Sequence, residues 1–220
     1  MSEVLIIGGH GKVALLAERL LAGAGHRVVG VIRNPDHADD VRAAGAEPLV
    51  SDVESLDVAG LTELVAGYDA VVWSAGAGGG NPARTYAVDR DAAIRTVDAV
   101  GAAAADGGTP ARLVMVSYFG AGPDHGVAPE NAFFPYAEAK SEADAYIEAS
   151  AVPWTILRPS RLTDGAPGGV STTDRNPGEV PRATVAEVIA AVVDHPASTD
   201  RRIITFNQGP EPVADVVAGA

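Results

Sequence analysis

Tyr136-Ala137-Glu138-Ala139-Lys140 places a phenol and an ammonium four residues apart, a spacing that stacks them on one face of a helix. A phenol with a pKa near ~10 is a poor proton donor or acceptor at neutral pH. A neighbouring ammonium favours the phenolate and lowers that pKa, as general acid–base chemistry requires. Lysine suits the task as a compact point charge that can also reach a ribose hydroxyl. Pro135 fits the first turn of such a helix. Ser117, nineteen residues before Tyr136, ends an apolar run, where its hydroxyl can donate to a substrate carbonyl oxygen. The expected roles are proton exchange at Tyr136, support of the phenolate by Lys140, and orientation of the oxygen by Ser117.

A second group of residues opens the chain. Val4-Leu5-Ile6-Ile7 runs into Gly8-Gly9-His10-Gly11-Lys12-Val13-Ala14, a glycine-rich turn between a first strand and a first helix. Such a turn is either a loop without a ligand or the seat of a dinucleotide pyrophosphate, held by the amides and positive end of the helix. Gly8 allows the tight turn, Gly11 lets the backbone approach a phosphate, and His10 and Lys12 offer donors or charge beside it. At the end of the second strand stands Arg33, where an NAD site tends to place an acid. A guanidinium there attracts a 2′-phosphate, which favours NADP(H) over NAD(H); the other reading is a surface arginine. Asp52 can accept from an adenine amino group while Val53 packs on the ring, and Asp52 serves equally well as a helix cap. Ser74-Ala75-Gly76 ends a later strand in small residues that let a cofactor lie across the sheet edge.

The elements that must position these residues follow from the apolar pattern. Short Val/Ile/Leu runs at 4–7, 27–32, 47–50, 70–73, 112–116 and 153–157 alternate with helical patterns at 15–22, 36–44, 58–66, 86–105 and 135–149. Strands buried on both faces and joined by helices predict an α/β fold, a doubly wound parallel sheet with right-handed crossovers. Residues 160–182 read as a long Gly/Pro/Ser/Thr-rich loop, of a length usually reserved for lids and substrate loops. A helix at 185–193, a strand at 202–206 and a terminal helix from Pro212 follow. The whole, 1–220, is expected to be a single dinucleotide-binding domain, with residues 160–220 contributing a small substrate lobe.

Composition narrows the function. The chain has 220 residues, a formal net charge of −13, and no cysteine. The acidic balance argues against nucleic acid, whose binding needs clustered Lys and Arg. Absence of cysteine removes disulfides and thiolate chemistry and fits a reducing compartment. His10, His26, His37, His125 and His195 show no metal-ligand spacing, so no metal site is expected. No apolar run has the length to span a bilayer, and Met1-Ser2-Glu3 lacks the basic head of a signal peptide, so the expected location is the cytoplasm. There is no GxSxG elbow for a hydrolase triad, and Val13 after Gly11-Lys12 departs from a phosphate-binding NTPase loop. The expected partner is a small-molecule substrate, with the protein a monomer or homodimer. Of 16 basic residues only two, Lys12 and Lys140, are lysine, and both fall within the motifs just described.

Taken together, the glycine turn, Arg33-Asn34-Pro35, Asp52-Val53, Ser74-Ala75-Gly76, Val88-Asp89, Ser117, Tyr136/Lys140, Thr155 to Pro159 and Val180 to Ala186 resemble the short-chain dehydrogenase/reductase superfamily. The likeness is to its atypical, NAD(P)H-binding, epimerase-like branch and covers nearly the whole chain. It implies hydride-transfer roles for Ser117, Tyr136 and Lys140, and it puts Pro159 and Ser160 beside the nicotinamide carboxamide. The chain departs from the superfamily pattern at Ala14, where the third glycine would stand, and at Tyr118-Phe119, where a second serine would follow Ser117. The expected function is an NADP(H)-dependent oxidoreductase or epimerase-type reaction on a small carbonyl or alcohol. The alternative is a non-catalytic NADP(H)-binding redox sensor.

Overall fold

In the computed structural model, which describes residues 1–78, 80–104 and 109–219, the apolar runs become strands β1 (Glu3–Ile7), β2 (Arg27–Ile32), β3 (Glu47–Val50), β4 (Ala70–Trp73), β5 (Arg112–Val116) and β6 (Trp154–Pro159). The connecting helices are α1 (Lys12–Gly23), α2 (Ala38–Ala43), α3 (Val58–Val65), α4 (Pro82–Thr85), α5 (Ala93–Ala103) and α6 (Phe134–Ala149). Three short strands follow, β7 (Arg161–Thr163), β8 (Val170–Ser171) and β9 (Glu179–Pro181), then α7 (Arg182–Asp194), β10 (Arg202–Gln208) and α8 (Val213–Ala218).

The main sheet has eight strands in the order β3-β2-β1-β4-β5-β6-β10-β8, all pairs parallel except β10 with β8. Successive residues of one strand point to opposite faces, so β1 feeds two cores. Val4 and Ile6 join one with residues of α1 and α7, while Leu5 and Ile7 join the other with residues of α3, α5 and α6. Both faces are covered, which is why the strands are continuous apolar runs. Chain order reverses between β1 and β4, and a crevice opens there at the carboxyl ends of the strands.

Two segments differ from the sequence-based expectation. The helix expected over 86–105 is α4, then a π-helical stretch at Tyr86–Ala92, then α5; Ala105 lies outside the described residues, as does Gly79. The π turn aims Asp89 back at the end of β4, where its Oδ2 accepts from the Ala77 amide at 3.0 Å. The expected loop at 160–182 contains β7, β8 and β9, and β7 pairs with β9 as a separate two-stranded sheet. Runs of two or three residues broken by Gly and Pro carry too little periodicity to announce such strands. From the expected lobe, β8, β10 and α7 join the main sheet and its core; β7 and β9 pair apart from that sheet, with Val180 of β9 buried in the same core.

Candidate functional site: a dinucleotide cleft and a buried charge cluster

The crevice is a cleft of about 340 Å³ between the first turn and the ends of β2, β3 and β4. It exists because the backbone comes unusually close to itself. Gly8 has φ +89°, and a Cβ there would lie 2.7 Å from the backbone of Ala75. Gly11 precedes the first residue of α1 without a side-chain cap, leaving the amides of the first turn available to an anion. Gly9 instead faces the sheet, where a Cβ would meet Gly30 Cα at 2.8 Å. Ser74, Ala75, Gly76, Asp52, Val53 and Arg33 all line the cleft, as do His10, Gly8 and Gly11. Asp52 does use its carboxylate as a local cap, accepting from the Glu54 amide at 3.2 Å. Lys12 and Val13 are not part of the lining: Val13 is core, and Lys12 is exposed with its Nζ 3.9 Å from Asp164.

Three residues of the lining, Glu54, Arg84 and His37, add polar groups that sequence spacing did not single out for the site. Arg33 and Arg84 both face Glu54, at 3.8 and 3.5 Å, and Arg84 also donates to the Ala77 carbonyl at 2.7 Å. His37 stacks on His10 with ring centroids 3.6 Å apart, and His10 Nε2 is 2.8 Å from Asp40. These pairings join β2, β3 and α4 across the sheet edge, a relation that a linear sequence does not display.

The Tyr136–Lys140 pair sits on α6 as the spacing requires, and the next step of the same face is Asp144. Lys140 is 1% exposed and reaches Met115 Sδ at 3.4 Å. Burial lowers its pKa, against the opposing pull of Asp89 and Asp144. Asp144 Oδ2 accepts from Ser117 Oγ at 2.8 Å and from Arg158 Nε at 2.9 Å. Burial raises the Asp144 carboxyl, and Arg158 and Lys140 oppose the rise. The Asp89 carboxyl is likewise raised by burial, and its Oδ1 is buried without a partner. Tyr136 therefore differs from expectation. Its phenol is pushed up rather than down, first by burial and then by Asp89, Asp144 and Tyr118. The negative charges of Asp89 and Asp144 disfavour a further negative charge on the phenol and add to the effect of burial. Ser117, too, is committed inward to Asp144 and is buried.

The residues fit a nicotinamide dinucleotide on three observations. The turn is closed to any Cβ at Gly8, the first turn of α1 is uncapped, and the Ser160 hydroxyl at the end of β6 is buried without a partner. Ser160 and Pro159 are buried at that strand end, on the far side of β4 from the glycine turn. Sequence reading also missed Glu18, whose two carboxyl oxygens are buried and unpartnered. It fills the room left by two glycines: Oε1 is 2.9 Å from where a Gly9 Cβ would stand and 2.5 Å from that of Gly30. Burial pushes its pKa up to about 8. Among the described residues, no cluster of three or more His, Asp or Glu is placed to hold a metal ion, and no helix is long and apolar enough to cross a membrane.

Comparison with known proteins agrees with this geometry. Residues 8–196 match the model of the NAD(P)H-binding family. A Bacillus subtilis protein named an uncharacterized sugar epimerase, YhfK, is 30% identical over 98% of each chain. A solved Bacillus halodurans protein, provisionally named an NAD-dependent epimerase/dehydratase, is 30% identical over 100% of both chains with a TM-score of 0.87. The fold is shared further with the Lactococcus lactis oxidoreductase ylbE, at a TM-score of 0.84 and 19% identity over 99% of this chain and 95% of that one. The chain belongs to the NAD(P)H-binding family and is, in fold and in its neighbours, like an atypical short-chain dehydrogenase/reductase.

Proposed function

We propose that the protein is an NADP(H)-dependent oxidoreductase that reduces a small carbonyl compound, with Tyr136 as the proton donor. The observation that carries this reading is the placement of Tyr136, one helical turn before Lys140 on α6 and in the wall of a pocket that opens beside it. A phenol holds its proton at neutral pH, burial and two nearby carboxylates reinforce that, and an oxygen that becomes a more basic alkoxide takes the proton from it. When bound, the reduced nicotinamide supplies the hydride that the carbonyl carbon accepts. The oxygen takes the Tyr136 proton, the product leaves as an alcohol, and Tyr136 is reprotonated from solvent. Lys140 serves as the positive charge of the cluster and as a donor toward the cofactor ribose. Asp144 acts as a positioning residue, holding Ser117 on one side and Arg158 on the other. Run in the reverse and then the forward direction, the same groups would support an epimerase-type step.

The preference for NADP(H) rests on Arg33, which is half exposed at the cleft rim and meets Glu54 only loosely, at 3.8 Å. It is free to take a 2′-phosphate. Gly8, Gly9, His10 and Gly11 would flank the pyrophosphate, Asp52 and Val53 the adenine, and Ser74 to Gly76 the middle of the cofactor. Pro159 and Ser160 would lie beside the carboxamide. One observation favours a non-catalytic sensor instead: Ser117 spends its proton on Asp144 rather than offering it to the site.

Tyr136→Phe separates the readings. It should leave NADPH affinity within about twofold and lower carbonyl reduction by ~10²–10⁴, the usual contribution of a positioned proton donor. Equal rates for the variant and the parent protein would remove Tyr136 from the chemistry.

A further inference from the structure

A second pocket, of about 570 Å³, opens beside Tyr136 between the start of α4 and the segment leading into α6. Its walls are largely apolar, made by Pro82, Pro129, Pro135 and the ring of Phe133, with Tyr136 also in the lining. Phe133 is 44% exposed, an aromatic face left partly in water at the pocket. Its ring lies 5.2 Å from that of Tyr136, and Tyr118 backs both at 5.4 and 5.6 Å. Covering such a ring with another ring is favourable through apolar burial and through offset or edge contacts.

Among the described residues, the polar side chains of this pocket are neutral or negative. The side-chain oxygens of Asn81 and Asn131 are spent as backbone caps, accepting from the Arg84 and Phe133 amides. What these two side chains have left to offer is uncharged N–H, suited to a neutral oxygen. Glu130 is the one charged side chain among the described residues of the lining, and it is negative. The adjoining cluster adds Asp89 and Asp144, whose charges act on Tyr136, with Lys140 and Arg158 set against those carboxylates. Among the described residues, Arg33 and Arg84 line the dinucleotide cleft, and no Lys, Arg or His lines this pocket. Removing a phosphate from water without a cation to meet it is strongly unfavourable.

We infer that this pocket takes a neutral, ring-bearing carbonyl compound and disfavours phosphorylated or nucleotide-linked sugars. The assignment rests on the proposed reading only in taking Tyr136 as the group that the carbonyl oxygen approaches. Hydride from NADPH and the Tyr136 proton would convert such a ketone to its alcohol and leave NADP⁺.

The test uses the NADPH-saturated protein with two probes, 1-tetralone and UDP-glucose, and reads binding by calorimetry separately from turnover by loss of NADPH absorbance. The expected result is that 1-tetralone binds at least about tenfold more tightly than UDP-glucose and that Phe133→Ala weakens it by about tenfold. Ala132→Arg, which puts a cation on an exposed position of the same lining, should strengthen UDP-glucose binding. UDP-glucose binding as tightly as the ketone, or neither probe binding, overturns the assignment. Tyr136→Phe keeps the two questions apart. Tetralone that binds and is reduced equally well by this variant sinks the Tyr136 role and leaves the pocket assignment standing. UDP-glucose that binds as tightly as the ketone, while 1-tetralone is reduced only when Tyr136 is present, does the opposite.

Discussion

At the scale of single residues, the site is decided by which charges are already matched. Lys140 is the lysine of the Tyr136 motif, yet it lies between Asp89 and Asp144 and does not depress the phenol. The pair was legible from its spacing; Asp144 continues the same i, i+4 face, and the sequence reading did not single it out. Asp89 was visible only as part of a family-like segment, because a π turn rather than an α turn aims it at Ala77. Arg33 is the reverse case: position alone suggested it, and it stands in the cleft, half exposed, with Glu54 3.8 Å away. A charge-assisted contact contributes roughly 1.5–3 kcal/mol, so Arg33→Ala should raise the NADPH dissociation constant by about 10- to 100-fold and leave NADH within about twofold. Titration of both nucleotides against both proteins checks this, and an equal change for the two would refute a 2′-phosphate role.

Among elements, the first βα turn depends on backbone approach more than on any side chain. Gly8 and Gly25 have nearly the same positive φ, +89° and +91°, but their surroundings differ. A Cβ on Gly8 would stand 2.7 Å from Ala75, whereas one on Gly25 would meet nothing within 4 Å. Alanine in a left-handed conformation costs on the order of 1 kcal/mol in either place. Gly8→Ala must in addition push β1 and β4 apart at the cleft. Urea denaturation should therefore show Gly8→Ala losing about 1–3 kcal/mol more than Gly25→Ala. Only the former should weaken nucleotide binding. Similar losses at the two positions would mean that the turn yields easily and does not define the cleft.

For the whole molecule, Glu18 is the one side chain among the described residues with two buried, unpartnered polar atoms, and it lies beneath the glycine turn. Its pKa is about 8 in the fold against 4.5 when unperturbed, so the folded state holds a proton that the unfolded state releases. Its contribution is constant below about 4.5, falls as pH rises from there to about 8, and is constant again above. The loss across that window is on the order of a few kcal/mol. Glu18→Gln has no such proton to lose. Its stability relative to the parent protein should rise between pH 5 and 8 and level off above, as read from paired denaturation curves. A difference that stays flat with pH would show that the carboxyl is hydrated or paired when ionised.

The alternation of strands and helices, the glycine turn and the Tyr136–Lys140 pair follow from the sequence because each depends on local spacing. An apolar run, a glycine at a fixed offset and an i, i+4 pair retain their meaning along a chain. The strands within 160–182 did not, because two or three residues between glycines and prolines have no period to read. Nor did the sign of the Tyr136 shift, the burial of Glu18 behind Gly9 and Gly30, or the sorting of arginines and histidines into one cleft and apolar rings into another. Those depend on which charges and surfaces are brought within a few ångströms across the sheet, and Coulomb and desolvation energies vary with that distance and not with separation along the chain.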